Sequence, residues 1–527
     1  ALKYEPIAVS DESTVVSAYV PDPTGMRDYQ SEAQLEVDLI TRLQTQAYEY
    51  LPITTSADLE SNVRYQLELL NDVTFTDSEW KRFFTTTVAA KNEGIVEKTA
   101  RIQEDPIQPL TRDDGTTKNI RLIDKTNIHN NRLQVINQYE VTGQAAGVAR
   151  QNRYDVTILV NGLPFIHVEL KRRGVALKEA FNQINRYARE SFWVDSGLFE
   201  YVQLFVISNG TQTKYYSNTT RDRRVTESAG GKRNKKQSSN SFEFTSWWTD
   251  ANNKRIGDLT AFTKTFFAKH TLLNVLTKYC VFDVSRTLLV MRPYQIVAAE
   301  RILQRINTST NAKQLGKIEA GGYIWHTTGS GKTLTSFKTA QLAPRMEGID
   351  KVVFVVDRKD LDYQTMLEYN RFEKDSVNGS KSTAELKRQL QKTDSRIIVT
   401  TIQKLSRFIE QNKGHEVTSG HVVLIFDECH RSQFGKMGAE IRKAFKRNHL
   451  FGFTGTPIFP ENGGTAKIAT KHGAALATTA AAFGDQLHTY TIVDAINDGN
   501  VLPFRVAYHN TVRAAEEIDL PDDAGPV

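Results

Sequence analysis

Apolar positions along the chain follow two rhythms. Residues 154–171, YDVTILVNGLPFIHVELK, hold two β-rich runs around Asn161-Gly162, a dipeptide that predicts a hairpin. In the second run Phe165, His167, Glu169 and Lys171 share one face, and Ile166, Val168 and Leu170 the other. The apolar face is expected to pack into a core, leaving Glu169 and Lys171 side by side on a projecting polar face. Residues 176–190 then place Leu177, Phe181, Ile184 and Ala188 at helical spacing. Strands at 203–208 and 214–216 would complete the sheet. Upstream, residues 31–39 read as an amphipathic helix with Glu32 and Glu36 four apart, a solvated face. Beyond residue 320 the rhythm changes: short apolar strands at 323–325, 352–356, 398–402 and 422–426 alternate with helical patterns, which predicts a buried parallel sheet. The fold class is therefore α/β.

Chemistry enters through the hairpin's register. A strict two-residue loop at Asn161-Gly162 would pair Asp155 with Val168 and aim its carboxylate at the wrong face. A loop of three residues, 161–163, pairs Asp155 with Glu169. Pro164 disfavours a regular ladder beside the turn, so the longer loop or a bulge is expected. Two carboxylates of this kind would hold Mg²⁺ through oxygen ligands, and the metal can activate water and stabilise charge on a phosphate. Lys171 would add a fixed positive charge beside them. On the following helix Gln183 and Tyr187 lie four apart on one face.

In the second half, the strand at 323–325 runs into His326-Thr327-Thr328-Gly329-Ser330-Gly331-Lys332-Thr333 and a helical segment, the context a phosphate-binding Walker A loop requires. Backbone N–H groups of the loop and the helix N-terminus would cradle phosphates. Lys332 is expected to reach the β/γ-phosphates of ATP, and Thr333 to ligate Mg²⁺. The strand at 421–426 ends in Asp427-Glu428-Cys429-His430. Asp427 would hold Mg²⁺ through water, and Glu428 would orient or deprotonate the attacking water.

Composition narrows the classes. The chain has 527 residues, 39% hydrophobic and 24% charged, which is ordinary globular material of two to four domains. A net charge of +6 suits a polyanion partner without demanding one. Two cysteines, Cys280 and Cys429, exclude a disulfide framework and fit a reducing, cytoplasmic setting. The longest apolar runs are too short to span a bilayer. Residues 228–241, rich in Gly, Ser and Lys, read as a mobile loop, and residues 463–482 as a flexible crossing between lobes. The expected layout is an endonuclease domain over 1–260, an ATP-binding lobe over 261–470, and a linker with the start of a second lobe over 471–527, including strands at 487–492 and 501–509.

These motifs carry a resemblance. Asp155 followed by Glu169-Leu170-Lys171 resembles the PD-(D/E)xK nucleases, with Tyr154 standing where their name-giving proline would be. The Gln183/Tyr187 pair resembles a Gln-xxx-Tyr motif of restriction and recombination nucleases, which supports the site or contacts DNA backbone. The Thr-Gly-Ser-Gly-Lys-Thr loop resembles superfamily 2 helicases, whose RecA-like lobes the parallel sheet would match. Within that likeness Arg292-Pro293-Tyr294-Gln295 resembles the Q motif, so Gln295 would read adenine. Residues 354–358 resemble motif Ia. Residues 398–403, with Thr400 and Thr401, resemble a DNA-backbone contact. Thr454-Gly455-Thr456-Pro457 resembles the motif linking ATP state to DNA state, through Thr454 and Thr456. Their order along nearly the whole chain is similar to the restriction (R) subunit of type I restriction-modification enzymes of bacteria and archaea. The likeness implies double-stranded DNA, ATP and Mg²⁺, methylation (M) and specificity (S) subunits as partners, and cleavage of unmodified DNA after ATP-driven translocation. A helicase-nuclease of repair or recombination and a DNA-binding scaffold with a dead nuclease are the alternatives. The family's second-lobe arginine motif is not found before Val527, so the chain by itself is expected to show little DNA-stimulated ATPase.

Overall fold

The computed structural model describes residues 13–21, 30–145, 148–192, 194, 196–218, 242, 245–356, 367, 369–370, 378–379, 382–391, 397–429, 436–460, 469–470, 473–474 and 478–501. The loop at 228–241, the strand at 502–509, Asp357, Arg358 and His430 lie outside them, as does much of 463–482.

Among the described residues two seven-stranded sheets dominate. The first sets β1 (Glu49–Tyr50), β2 (Leu133–Ala145), β3 (Val148–Val160), β4 (Leu163–Leu170), β5 (Leu204–Ser208), β6 (Thr213–Ser217) and β7 (Ser246–Trp247) side by side in that order. β1–β2 and β4–β5 run parallel and the other pairs antiparallel. Helix α1 (Glu32–Thr45) begins at a capping box between Ser31 and Gln34, which satisfies two of its free N–H groups. Helix α2 (Leu177–Glu190) joins β4 to β5.

Every residue of β4 is buried. The expected projecting polar face therefore does not project: α2 and the turn after it close over it. The His167 ring lies 6.0 Å from Tyr187 and 5.9 Å from Phe192. Tyr154 explains why a residue other than proline stands there. Its ring packs 4.7 Å from Phe199 and 4.9 Å from Tyr187, and its hydroxyl donates to Ser191 Oγ at 2.7 Å. Burying such a ring contributes about 2 kcal/mol.

The second sheet is wholly parallel. It uses β8 (Gly322–His326), β9 (Lys351–Val356), β10 (Asn378–Gly379), β11 (Ile397–Thr401), β12 (His421–Phe426), β13 (Arg447–Thr454) and β14 (Gln486–Tyr490), in the spatial order β10-β11-β9-β12-β13-β8-β14. Helices α3 (Pro293–Asn311) and α4 (Lys332–Leu342) pack against it. Continuous apolar strands such as β9 and β12 are buried from both sides, as a parallel sheet requires.

Two expected boundaries move. The core of the first sheet also takes Phe262, Phe266, Phe267 and Leu272, so this unit runs past Thr260. Residues 486–490, expected to open a second lobe, instead pair with β8 and complete the first lobe's sheet. The reason is that β8 would otherwise be an edge with an unpaired ladder, and β14 covers it while burying Leu487 and Tyr490.

Candidate functional site

The hairpin reaches its register by a route the local signals only half specify. Val160 pairs with Leu163, so the loop is two residues long, and Asn161 and Gly162 both have positive φ (51° and 83°). Gly162 is required: a Cβ there would stand 2.7 Å from the Val63 Cα. Leu159 then pairs with Pro164 but Ile158 with Ile166, so Phe165 is an extra, bulged residue. Pro164 cannot donate to the ladder, and the bulge absorbs the break. Beyond it Val156 pairs with Val168, and the same register continued by one residue sets Asp155 opposite Glu169.

The result is a compact polar cluster. Leu170 N donates to Asp155 Oδ2 at 2.8 Å, and Lys171 Nζ donates to Glu169 Oε1 at 3.1 Å and to Leu170 O at 2.8 Å. His167 Nε2 lies 3.3 Å from Glu169 Oε2. Burial pushes Asp155 up to about 8, helped by the Glu169 charge. Burial likewise lifts Glu169 to about 7, against the pull of Lys171. His167 is driven down to about 4 by burial, so it is a neutral hydrogen-bond partner of Glu169 rather than an ion-pair cation. Two adjacent carboxylates, Glu169 buried and Asp155 half-buried, whose pKa values are both raised are short of positive charge, and an oxygen-only donor pair fits a hard divalent cation that keeps most of its water. Among the described residues no cluster of three or more His, Cys, Asp or Glu side chains is placed to hold a metal, so protein would supply two carboxylates here and water the rest.

The helical pair works from behind. Tyr187 OH donates to Arg153 O at 2.9 Å, bracing β3 two residues before Asp155, and Gln183 Nε2 donates to the Tyr187 hydroxyl. Glu32 and Glu36 part company. Glu32 stands 3.9 Å from Lys171 Nζ, whereas Glu36 is buried and accepts from the Asn137 and Gln138 carboxamides. The solvated-face expectation therefore fails for Glu36.

In the second unit, β8 ends at His326 and the loop turns into α4, with Gly331 as N-cap. Gly329 and Gly331 take φ of 78° and 79°, the left-handed region that glycine occupies freely. Thr328, Gly329, Ser330 and Gly331 thus turn the chain at the C-terminal edge of the parallel sheet, and Lys332 and Thr333 open α4. Lys332 Nζ lies 3.7 Å from Glu428 Oε1. Asp427 N donates to Val355 O at 3.1 Å, and Glu428 follows with a φ of 43°, strained for a non-glycine residue. Gly455 backs onto the loop: a Cβ there would stand 3.3 Å from Thr328 Oγ1 and 3.6 Å from Lys332 Nζ.

Three of the expected nucleotide- and DNA-facing groups have partners within the protein. Gln295 Nε2 donates to Ser330 O at 3.0 Å and Gly331 O at 3.3 Å, and its Oε1 accepts from Arg292 N at 2.9 Å. One end of this carboxamide braces the loop, and the other caps the N-terminus of its own helix at Arg292. Thr400 and Thr401 are fully buried, and Thr401 Oγ1 caps the following helix by accepting from Lys404 N. Thr454 is also buried and accepts from Thr456 N at 3.0 Å, while Thr456 itself is exposed.

One group has no role of its own in the sequence motifs. Tyr294 OH donates to Ser330 O at 2.7 Å, and its ring stacks on Tyr490 at 3.7 Å. Tyr490 OH in turn donates to Asp498, which lies 3.6 Å from Arg255 of the first unit. The Tyr294 signal lay in plain view beside Gln295, but its partner is almost two hundred residues away.

The parallel lobe with its phosphate loop and acidic strand end is an ATPase lobe, and it is joined here to a unit built around a buried carboxylate pair. Residues 294–521 match the SWI2/SNF2 ATPase family, and residues 29–224 match the family described as type I restriction enzyme R protein N terminus. The EcoprrI endonuclease subunit of Escherichia coli is 49% identical over 59% of this chain and 94% of its own length. The SsaAORF53P endonuclease subunit of Staphylococcus saprophyticus is 41% identical over 94% of this chain and 49% of its own. A solved type ISP restriction-modification enzyme, LlaBIII bound to DNA, matches 41% of this chain and 16% of that one at 17% identity and a TM-score of 0.29, too distant to carry an argument. The chain belongs to the type I restriction enzyme endonuclease subunits. It spans about half the length of the Staphylococcus saprophyticus relative. No described helix is long and apolar enough to cross a membrane.

Proposed function

We propose that this chain is the cutting and ATP-binding part of a type I restriction endonuclease subunit, which draws double-stranded DNA past itself using ATP and cleaves it in a Mg²⁺-dependent reaction. The observation that carries the reading is the juxtaposition of Asp155, Glu169 and Lys171 by the bulged hairpin, in a chain that also sets Lys332 against Glu428. The first unit is read as a PD-(D/E)xK nuclease, the second as a RecA-like superfamily 2 lobe.

Asp155 and Glu169 would hold the Mg²⁺, which when bound supplies an activated water and charge stabilisation at the phosphate. Leu170 N keeps the Asp155 carboxylate turned to the site. Lys171, anchored on Glu169 and Leu170 O, places a cation where negative charge develops. Tyr187 and Gln183 are positioning residues that fix the β3 backbone. In the ATPase lobe the loop N–H groups and Lys332 would bind the phosphates. Asp427 and Thr333 would hold their Mg²⁺, and Glu428 would orient water. Gln295 and Tyr294 keep the loop in shape. The DNA target is expected to be read by partner methylation and specificity subunits.

The test is a complex reconstituted with those subunits and an unmodified plasmid. Asp155→Ala should abolish cutting while ATP hydrolysis continues, and Lys332→Ala should abolish both. Cleavage that survives Asp155→Ala and Lys171→Ala would move the nuclease elsewhere and leave the scaffold reading standing.

A further inference from the structure

A cavity of about 960 Å³ lies between the two units, bounded by Gln103 and Lys125 on one side and by α3 and α4 on the other. It falls at the upper end of the roughly 300–1,000 Å³ range of small-molecule sites. It is separate from the ATP loop. Lys332 begins α4, whereas the cavity meets that helix at Lys338, Gln341 and Leu342, the last about 15 Å further along the axis at a helical rise of about 1.5 Å per residue.

Its charge is unbalanced. The Lys125 ammonium donates to Gln103 O at 2.8 Å and Gln103 Oε1 at 3.3 Å, both neutral, and among the described residues it has no carboxylate within ion-pair distance. Burial depresses it to about 8; Arg345 pushes the same way, while Cys280 and Glu104 pull it back up. The cavity's two acids also have other partners. Glu300 accepts from Thr14 N at 3.1 and 3.0 Å and from Tyr279 OH at 2.9 Å, and Glu104 lies 3.6 Å from Arg286. Lys125 and Arg345 come from different units and both line the cavity, so an anion held between the units would meet two cations. A separate stretch of wall is apolar, from Val281, Leu303 and Met346.

We propose that this cavity is a second anion site, which takes a phosphate-bearing small molecule up to the size of a mononucleotide, with its phosphate between Lys125 and Arg345 and its less polar part against Val281, Leu303 and Met346. Such a ligand bridges the carboxylate-bearing unit and the ATPase lobe. The proposal does not depend on the nuclease reading.

The test is calorimetric titration of the chain carrying Lys332→Ala, which silences the ATP loop, with ADP and separately with inorganic pyrophosphate. One equivalent of either should still bind saturably. Adding Lys125→Glu or Arg345→Glu should weaken that binding at least about tenfold, while Lys125→Arg retains it. Melting curves identify a variant that fails to fold. Arg345 is exposed, so its reversal stands as the measurement if Lys125→Glu does not fold. No saturable binding of either probe at millimolar concentration, or binding indifferent to both reversals in folded protein, overturns the proposal.

Discussion

The carboxylate site and the ATP loop are built on opposite plans. The ATP loop is one contiguous segment at a sheet edge: glycines take the two left-handed positions, Thr328 and both glycines are exposed, and its shape is held by neighbouring backbone and by Tyr294 and Gln295. The carboxylate site comes from two strands, buries Glu169 fully and Asp155 in part, and exists only because one bulged residue corrects the register. The first tolerates local change so long as the loop can form. The second stakes its geometry on Phe165 and its charge state on burial. A buried carboxylate pair stores electrostatic strain that a cation relieves, whereas an exposed loop relies on backbone dipoles and stores little.

The sharpest way to break this contrast is to disable each site separately. Lys332→Ala should cut ATP hydrolysis by at least about a hundredfold in a phosphate-release assay, leaving the melting temperature nearly unchanged. Asp155→Asn keeps the shape but loses a metal-binding charge, and should lower plasmid cleavage by about a hundredfold or more with ATP hydrolysis intact. Gly331→Ala should lose ATP binding more by strain than by chemistry. It forces a left-handed residue to carry a Cβ 2.5 Å from Gln295 Nε2, and equilibrium nucleotide binding would register it.

A titration sharpens the comparison further. The native state retains protons on Asp155 and Glu169 that the unfolded chain gives up near pH 4, so the folded state binds more protons between about 4 and 8. The contribution of this pair to stability should therefore fall as pH rises through that window. Mg²⁺ should reverse the fall, bind more tightly towards pH 8 and release protons, all readable by calorimetry in two buffers. Stability that does not depend on Asp155 between those pH values would show the pair to be solvated. The smallest effect expected is from Tyr187→Phe, which removes the hydroxyl that links Gln183 to Arg153 O. It should cost about 1 kcal/mol in denaturant melts and lower cleavage without touching ATP hydrolysis.

What was legible in sequence divides along the same line. The ATP loop could be read directly, because its function needs residue types at fixed short spacing and its backbone is self-contained. The helix carrying Gln183 and Tyr187 and the short apolar strands were equally plain from periodicity. At the hairpin, Asn161-Gly162 marked the turn and Pro164 marked trouble, and these together called for either a longer loop or a bulge. Which one occurs was decided by packing: Gly162 lies against Val63, which allows only the tight turn, so the extra residue had to be taken up within β4. Burial was beyond local reading. Glu36, His167, Glu169, Thr400 and Thr401 look like solvent-facing polar residues in any window, and each is covered by an element distant in sequence.

The chain alone thus determined the turn residues, the apolar periods and the candidate residues of each half, since spacing, turn residues and apolar period are properties of neighbours. The tertiary structure decided that Asp155 meets Glu169, that both are pushed towards their protonated forms, that Gln295 braces the loop, and that residues 486–490 complete the first lobe. Those outcomes depend on which surfaces exclude water from one another, a relation between parts of the chain far apart in sequence.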